Sequence, residues 1–135
     1  MKQLIFLFSL IFVSVYARAA DIEIAAMLMD YEKNQARFYS KYQNKKIEKS
    51  GIVYSIIAET ALERSINSIT QLPPMFLISL NVSGSKVSCF TSDEKIAVSL
   101  NTGVPVFFSG VITDINVTGD GIQVNKCKIF LKKNS

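Results

Sequence analysis

The stretch KVSCFTSDEKIAVSLNTGVPVFFSGVITDINVTGDGIQVNKCKIFL, Lys86 to Leu131, decides the fold. Lys86 to Thr91 reads as a strand carrying Cys89. Ser92-Asp93-Glu94 then opens a short helix through Leu100, because a serine or aspartate oxygen can accept from the free amides of a first turn. Asn101-Thr102-Gly103 ends that helix. Val104, Val106, Phe108, Gly110 and Ile112 alternate with more polar neighbours, the period of a long half-buried strand continuing toward Val117. Gly119-Asp120-Gly121 is hairpin-turn chemistry, and Ile122 to Leu131 returns as a strand with Cys127.

Upstream, Ser83-Gly84-Ser85 is a tight turn joined to a strand over Met75–Asn81. Glu59 to Pro74 is a polar stretch, helical in composition at Ala61–Ile66 and stopped by Pro73-Pro74. Ile47 to Ala58 is β-rich, and Gly51 within it marks a bulge or a sharp bend. Before it, Ile24, Met27, Leu28, Tyr31 and Gln35/Phe38 recur at three and four. That spacing predicts a helix from about Ile22 to Ser40, N-capped by Asp21, with its Tyr/Phe/Met stripe toward the core. Lys41, Lys45, Lys46 and Lys49 come after it at its C-terminal end, where cations are favoured by the helix dipole.

The order is therefore helix, β-β-β, helix, β-β. It is the connectivity of a mainly β protein, a five-stranded Greek-key barrel of the OB-fold type, with an N-terminal α-helix and a short helix between strands three and four. In that barrel strands three and five are neighbours, so Cys89 and Cys127 would face each other across one ladder or near its end.

The first 19 residues have a different logic. Lys2 precedes an apolar run from Leu4 to Val15, broken only by Ser9 and Ser14, and Ala17-Arg18-Ala19 supplies small residues for a signal peptidase. The run is shorter than the roughly 20 apolar residues a membrane span needs. Residues 1–19 are thus expected to be a signal peptide, and residues 20–135 one domain, with the helix at about 22–40 and the barrel at about 46–131. Cleavage after Ala19 would leave no membrane span and a periplasmic or secreted protein. In that oxidising compartment the even pair Cys89 and Cys127 is expected to be a disulfide, two buried thiols being the alternative. Closing a loop of 38 residues by such a bond stabilises by about 3–4 kcal/mol.

Composition then excludes several classes. The chain of 135 residues carries 15 Lys+Arg, 11 Asp+Glu and 49% apolar residues, with no His and no Trp. Residues 1–19 hold Lys2, Arg18 and 14 apolar residues, so residues 20–135 carry 13 basic against 11 acidic side chains, a charge of +2. That remainder is neither membrane-embedded nor disordered, and its charge is too small to announce nucleic-acid binding. Without His, imidazole catalysis and Cys/His zinc sites are absent. Asp93-Glu94 are adjacent and serve a helix N-terminus better than a catalytic dyad. Asp120 is a turn residue, and no helix comes after Gly119-Asp120-Gly121 to make it a phosphate loop. No catalytic residue, metal ligand or cofactor is assigned, and no enzyme is expected.

Tyr31-Glu32-Lys33-Asn34, Lys41-Tyr42-Gln43-Asn44-Lys45 and Gly51-Ile52-Val53 resemble the opening of the tRNA-anti-like OB-fold family of small bacterial proteins. Val87-Ser88-Cys89-Phe90, Val104-x-Val106-x-x-x-Gly110 and Lys126-Cys127-Lys128-Ile129 resemble its third, fourth and fifth strands. The resemblance runs from about Ala26 to Phe130. It departs at Glu59–Pro74, which is longer than the turn usual between strands one and two and lies beside the rim where OB-folds bind ligands. The family's name records a likeness to anticodon-binding domains, and fold alone assigns no function.

Two functions are expected on these grounds. The first is a non-catalytic module acting by protein–protein contact in the bacterial cell envelope, on a secretion or conjugation apparatus or a toxin. Leu62, Ile66, Ile69, Leu72 and Met75 would make its contact surface, although packing over the open end of the barrel is the plainer reading of those residues. The second is binding of single-stranded nucleic acid or oligosaccharide on the barrel face, with Phe90, Lys86 and Arg64 as contacts and Phe76 turned into the core. The weak basic charge speaks against nucleic acid as the partner.

Overall fold

The computed structural model describes residues 23–71 and 73–132; the expected signal peptide, the Asp21 cap and Leu72 lie outside them. In chain order the elements are α1 (Ile24–Lys33), α2 (Gln35–Tyr42), β1 (Lys46–Ala58), α3 (Ala61–Ile69), β2 (Phe76–Val82), β3 (Ser85–Thr91), α4 (Glu94–Ser99), β4 (Pro105–Ile115) and β5 (Gly121–Leu131). The strands close into a barrel in the order β1-β2-β3-β5-β4. All pairings are antiparallel except β3 with β5, which run parallel from Lys86↔Gly121 to Cys89↔Val124. This is the five-stranded OB-fold barrel that the strand order predicts.

Closure depends on β1 serving two neighbours. Its residues Lys46–Ile52 pair with Val111–Pro105 of β4, and Ile52–Ala58 pair with Asn81–Phe76 of β2. The changeover falls at Gly51, where a Cβ would lie 2.9 Å from both the Asn81 carbonyl oxygen and Val82 Cγ2. Any larger residue would push the two strands apart at the corner, so the bend expected there is a close backbone approach. A bulge comes next, between Val53 and Ser55, leaving Tyr54 outside the ladder.

The barrel interior is filled from every strand. Val53, Ile78, Leu80, Val87, Cys89, Val106, Phe108, Ile112, Ile122 and Val124 are all but inaccessible to solvent. Burying each large apolar side chain stabilises by roughly 1.5–3 kcal/mol relative to exposure. Ile24 and Met27 of α1, Phe38 and Tyr42 of α2, and Ala97 of α4 with the adjoining Leu100 join the same cluster. The disulfide Cys89–Cys127 ties β3 to β5, with Cα atoms 5.8 Å apart.

The N-terminal helix is two helices rather than one. Asn34 is extended, donates its N–H to the Asp30 carbonyl at 2.8 Å, and accepts from the Arg37 amide on its side chain at 3.2 Å. One residue thus ends α1 and caps α2, since an asparagine side chain competes with the helix for backbone amides. Tyr42 donates to Asp30 Oδ2 at 2.6 Å across this helical pair, and Lys41 approaches the same oxygen at 3.5 Å. Tyr39 donates to Asp114 of β4 at 2.8 Å, so the pair is also fastened to the barrel.

The segment between β1 and β2 forms α3, capped by the Thr60 hydroxyl, which accepts from the Glu63 amide at 3.2 Å. Its apolar side chains do not pack over the barrel. Leu62, Ile66 and Ile69 stay 71%, 51% and 81% exposed, because the core is already filled by α1, α2 and α4.

Candidate functional site

Strand register places the outward residues of β1, β2, β3 and β5 in three rows. Ile57, Leu77 and Phe90 form the row nearest α3. Ser55, Ser79, Ser88 and Gln123 form the middle row. Ile52, Asn81, Lys86 and Gly121 form the third, beside the β4–β5 turn. Side chains alternate across a strand, and in β1 the bulge at Tyr54 shifts the phase so that Ile52, Ser55 and Ile57 all face outward. On β1, β2 and β3 the middle row is three serines, shorter than the residues on either side, and it makes a shallow floor between two taller edges.

An aromatic ring stands at each edge. Phe90 is half-buried in the first row. Tyr54, outward next to the buried Val53 and left outside the ladder by the bulge, is 44% exposed beside the third row, and Lys86 Nζ lies 5.7 Å from its ring centre. A cation at that distance is held by the ring's negative face. Lys86 is also 2.9 Å from Asp120 Oδ2, and this carboxylate raises the lysine's pKa, keeping it charged.

The turn after β4 fixes that carboxylate. Asn116 is buried, accepts from the amides of Asp120 and Gly121 at 3.1 and 3.2 Å, and donates to Asp120 Oδ1 at 3.0 Å. The Thr118 hydroxyl also donates to Asp120. Thr118 and then Lys86 hold the Asp120 carboxyl below the usual carboxylate range. Gly121 lets the start of β5 come against β3, since a Cβ there would collide with the Lys86 carbonyl. The result is an ammonium group fixed over an aromatic edge and still 47% accessible.

The residues singled out from sequence are divided by the structure. Lys86 and Phe90 share the face, and Met75 lies beside it, where its amide donates to Glu59 Oε1 at 2.8 Å. Phe76 packs against the core, as alternation predicts. Arg64, Leu62, Ile66 and Ile69 project from α3 into solvent and not onto the sheet. Tyr54 is the residue that sequence reasoning misses. An inward Val53 would have shown it, but the bulge beyond it leaves no mark in the pattern. Among the described residues no three His, Cys, Asp or Glu side chains gather in a way that could hold a metal ion.

A closed five-stranded barrel with the strand order β1-β2-β3-β5-β4 defines the class: an OB-fold. No family model matches the sequence, and no curated protein matches it either. Among solved structures, the chain is similar to a lipoprotein of Klebsiella pneumoniae that is proposed to bind nucleic acid, with a TM-score of 0.58 and 12% identity over 84% of this chain and 96% of that one. It also matches asparaginyl-tRNA synthetase from Pyrococcus horikoshii, at TM-score 0.46 and 15% identity, over 69% of this chain and 21% of that one.

The likeness to the lipoprotein corrects the partner expected from sequence. The expected N-terminal export signal and the small net charge favour an envelope protein and set nucleic acid aside, yet the fold is shared with a protein named for nucleic-acid binding. The physical reason is that net charge averages over the whole chain, whereas recognition depends on the few cations beside exposed rings.

Proposed function

We propose that this protein is an extracytoplasmic OB-fold module that binds single-stranded nucleic acid across the outer face of β1, β2 and β3. The observation that carries the reading is the pairing of Tyr54 and Phe90 on opposite edges of a serine floor, with Lys86 fixed over Tyr54. Single strands are bound where bases can stack on aromatic rings and phosphates can meet cations, with about 1–3 kcal/mol per stacked base. Short serines between the rings leave room for the sugar–phosphate chain and offer hydroxyl donors to it.

Export by cleavage of residues 1–19 belongs to the same proposal, supported by a disulfide of the kind that persists in oxidising compartments. So does kinship with the tRNA-anti-like family, supported by the barrel and its helical prefix. The module catalyses nothing in this reading; it holds a strand.

Fluorescence anisotropy with labelled oligothymidylate and oligouridylate at low salt tests it. Saturable binding is expected, weakening as salt rises with a log–log slope of about −0.7 per phosphate contact. Absence of salt-sensitive binding to both oligomers would overturn the proposal.

A further inference from the structure

Beyond the sheet face lies a groove of about 620 Å³ between the ends of β3 and β5. It exists because the two strands part company. Their parallel pairing stops at Cys89↔Val124, and Lys126, at φ 53°, then forms a bulge opposite Gly110 that turns β5 wholly toward β4. The disulfide pins the strands at the fork, and Cys127 lies in the groove floor.

The groove brings rings and cations together. Phe90 and Phe130 both line it, the second 59% exposed. Lys126 and Lys128 line it too, both exposed, and neither forms an ion pair among the described residues. The one acidic residue there, Asp93, is engaged as the cap of α4, accepting from the Ile96 amide at 3.2 Å. Asn125 carries a side-chain oxygen that is buried without a donor. The groove therefore offers rings, two uncompensated cations and an unsatisfied acceptor, a combination complementary to a base with its phosphate and not to an apolar peptide.

Phe90 belongs to both surfaces, as the edge of the sheet face and as a wall of the groove. We infer that the groove is a second subsite for the same single strand, taking a nucleotide as the strand leaves the sheet, with the base on Phe90 and Phe130 and the phosphate on Lys126 and Lys128. This rests on the reading of the face given above, and it lengthens the site around the barrel, past the open end of the β3–β5 ladder.

Oligomer length separates the two. Site sizes for one OB-fold run from about 4 to 16 nucleotides, so oligothymidylates of about 4 and about 12 nucleotides are the probes. Lys126→Asn with Lys128→Gln is the first variant, asparagine being at home in the left-handed region; Phe130→Ser is the second, at an exposed position. Both are expected to weaken the longer oligomer by about tenfold and leave the shorter unchanged. The lysine pair should also reduce the salt slope for the longer oligomer by about 1.4. If both variants bind the longer oligomer with unchanged affinity and slope while Tyr54→Ala weakens it, the groove is not part of the site and the face stands alone. If the unaltered protein binds neither oligomer, face and groove fall together.

Discussion

The molecule carries two sets of aromatic side chains with opposite surroundings. Tyr31, Phe38, Tyr39 and Tyr42 interlock between α1, α2 and the barrel, with ring centres 5.4–6.3 Å apart and mostly edge-to-face. Their hydroxyls are committed as well, Tyr42 to Asp30 and Tyr39 to Asp114. Tyr54 and Phe90 lie instead on a bare sheet, separated by serines, with only a lysine over one of them. The helical set supplies stability, and the sheet set is left uncovered by any helix. The difference is one of cover. Where α1 and α2 lie on the barrel the rings are packed, and where no helix lies they are presented.

That contrast breaks first at Phe38, which is fully buried. Phe38→Ala is expected to cost about 3–5 kcal/mol by denaturant titration, and to leave oligonucleotide affinity unchanged in conditions where the protein remains folded. A large loss of affinity in folded protein would mean that the helical set also takes part in binding. Next in size is the staple. Cys89→Ser with Cys127→Ser should lower stability by about 3–4 kcal/mol, read as a falling urea midpoint.

The hydroxyl links give a smaller, pH-dependent effect. The Tyr42 hydroxyl, followed by Lys41 and Arg37, lowers the pKa of the Asp30 carboxyl from its ordinary value of 3.8. A depressed carboxyl stabilises the fold above its unfolded pKa and loses that contribution as pH falls through the folded value. Burial and Asp30 push Tyr42 up to about 12, and Asp114 does the same to Tyr39. These phenols stabilise below their unfolded value of about 10, and that support is lost as pH rises from there toward 12. Thermal melts should therefore fall away on both flanks. Tyr42→Phe should flatten the part of each that depends on the Asp30 link and lower Tm near neutrality by about 4 °C. Melts of that variant superimposable on those of the unaltered protein would show that the link carries no stability.

The least effect is expected on α3. Leu62→Ser and Ile69→Ser, both at exposed positions, should each change stability by less than about 0.5 kcal/mol. A larger change would mean that the stripe packs against something in solution.

How much of this is legible in the sequence depends on the physics of each element. Five strands, two of the turns and the capped helix at Asp93 are legible because alternation, glycine and aspartate act locally. The break at Asn34 is not, since a helical period passes through it and only the side chain's competition for amides ends α1 there. The face is half legible. Phe90 and Lys86 come from simple alternation in β3, but the bulge at Tyr54 resets the count, so that Ile56 points inward and Ile57 outward. The groove is invisible in advance, because it depends on a positive φ at Lys126 and on where a parallel ladder stops.

The most direct test sets the two aromatic sets against each other in one experiment, the anisotropy titration of Tyr54→Ala beside the unaltered protein, with Tm measured on the same samples. The account predicts affinity for oligothymidylate reduced by about tenfold or more, as loss of one stacked base requires, with Tm held within about 2 °C. Equal affinity in the two proteins would contradict it.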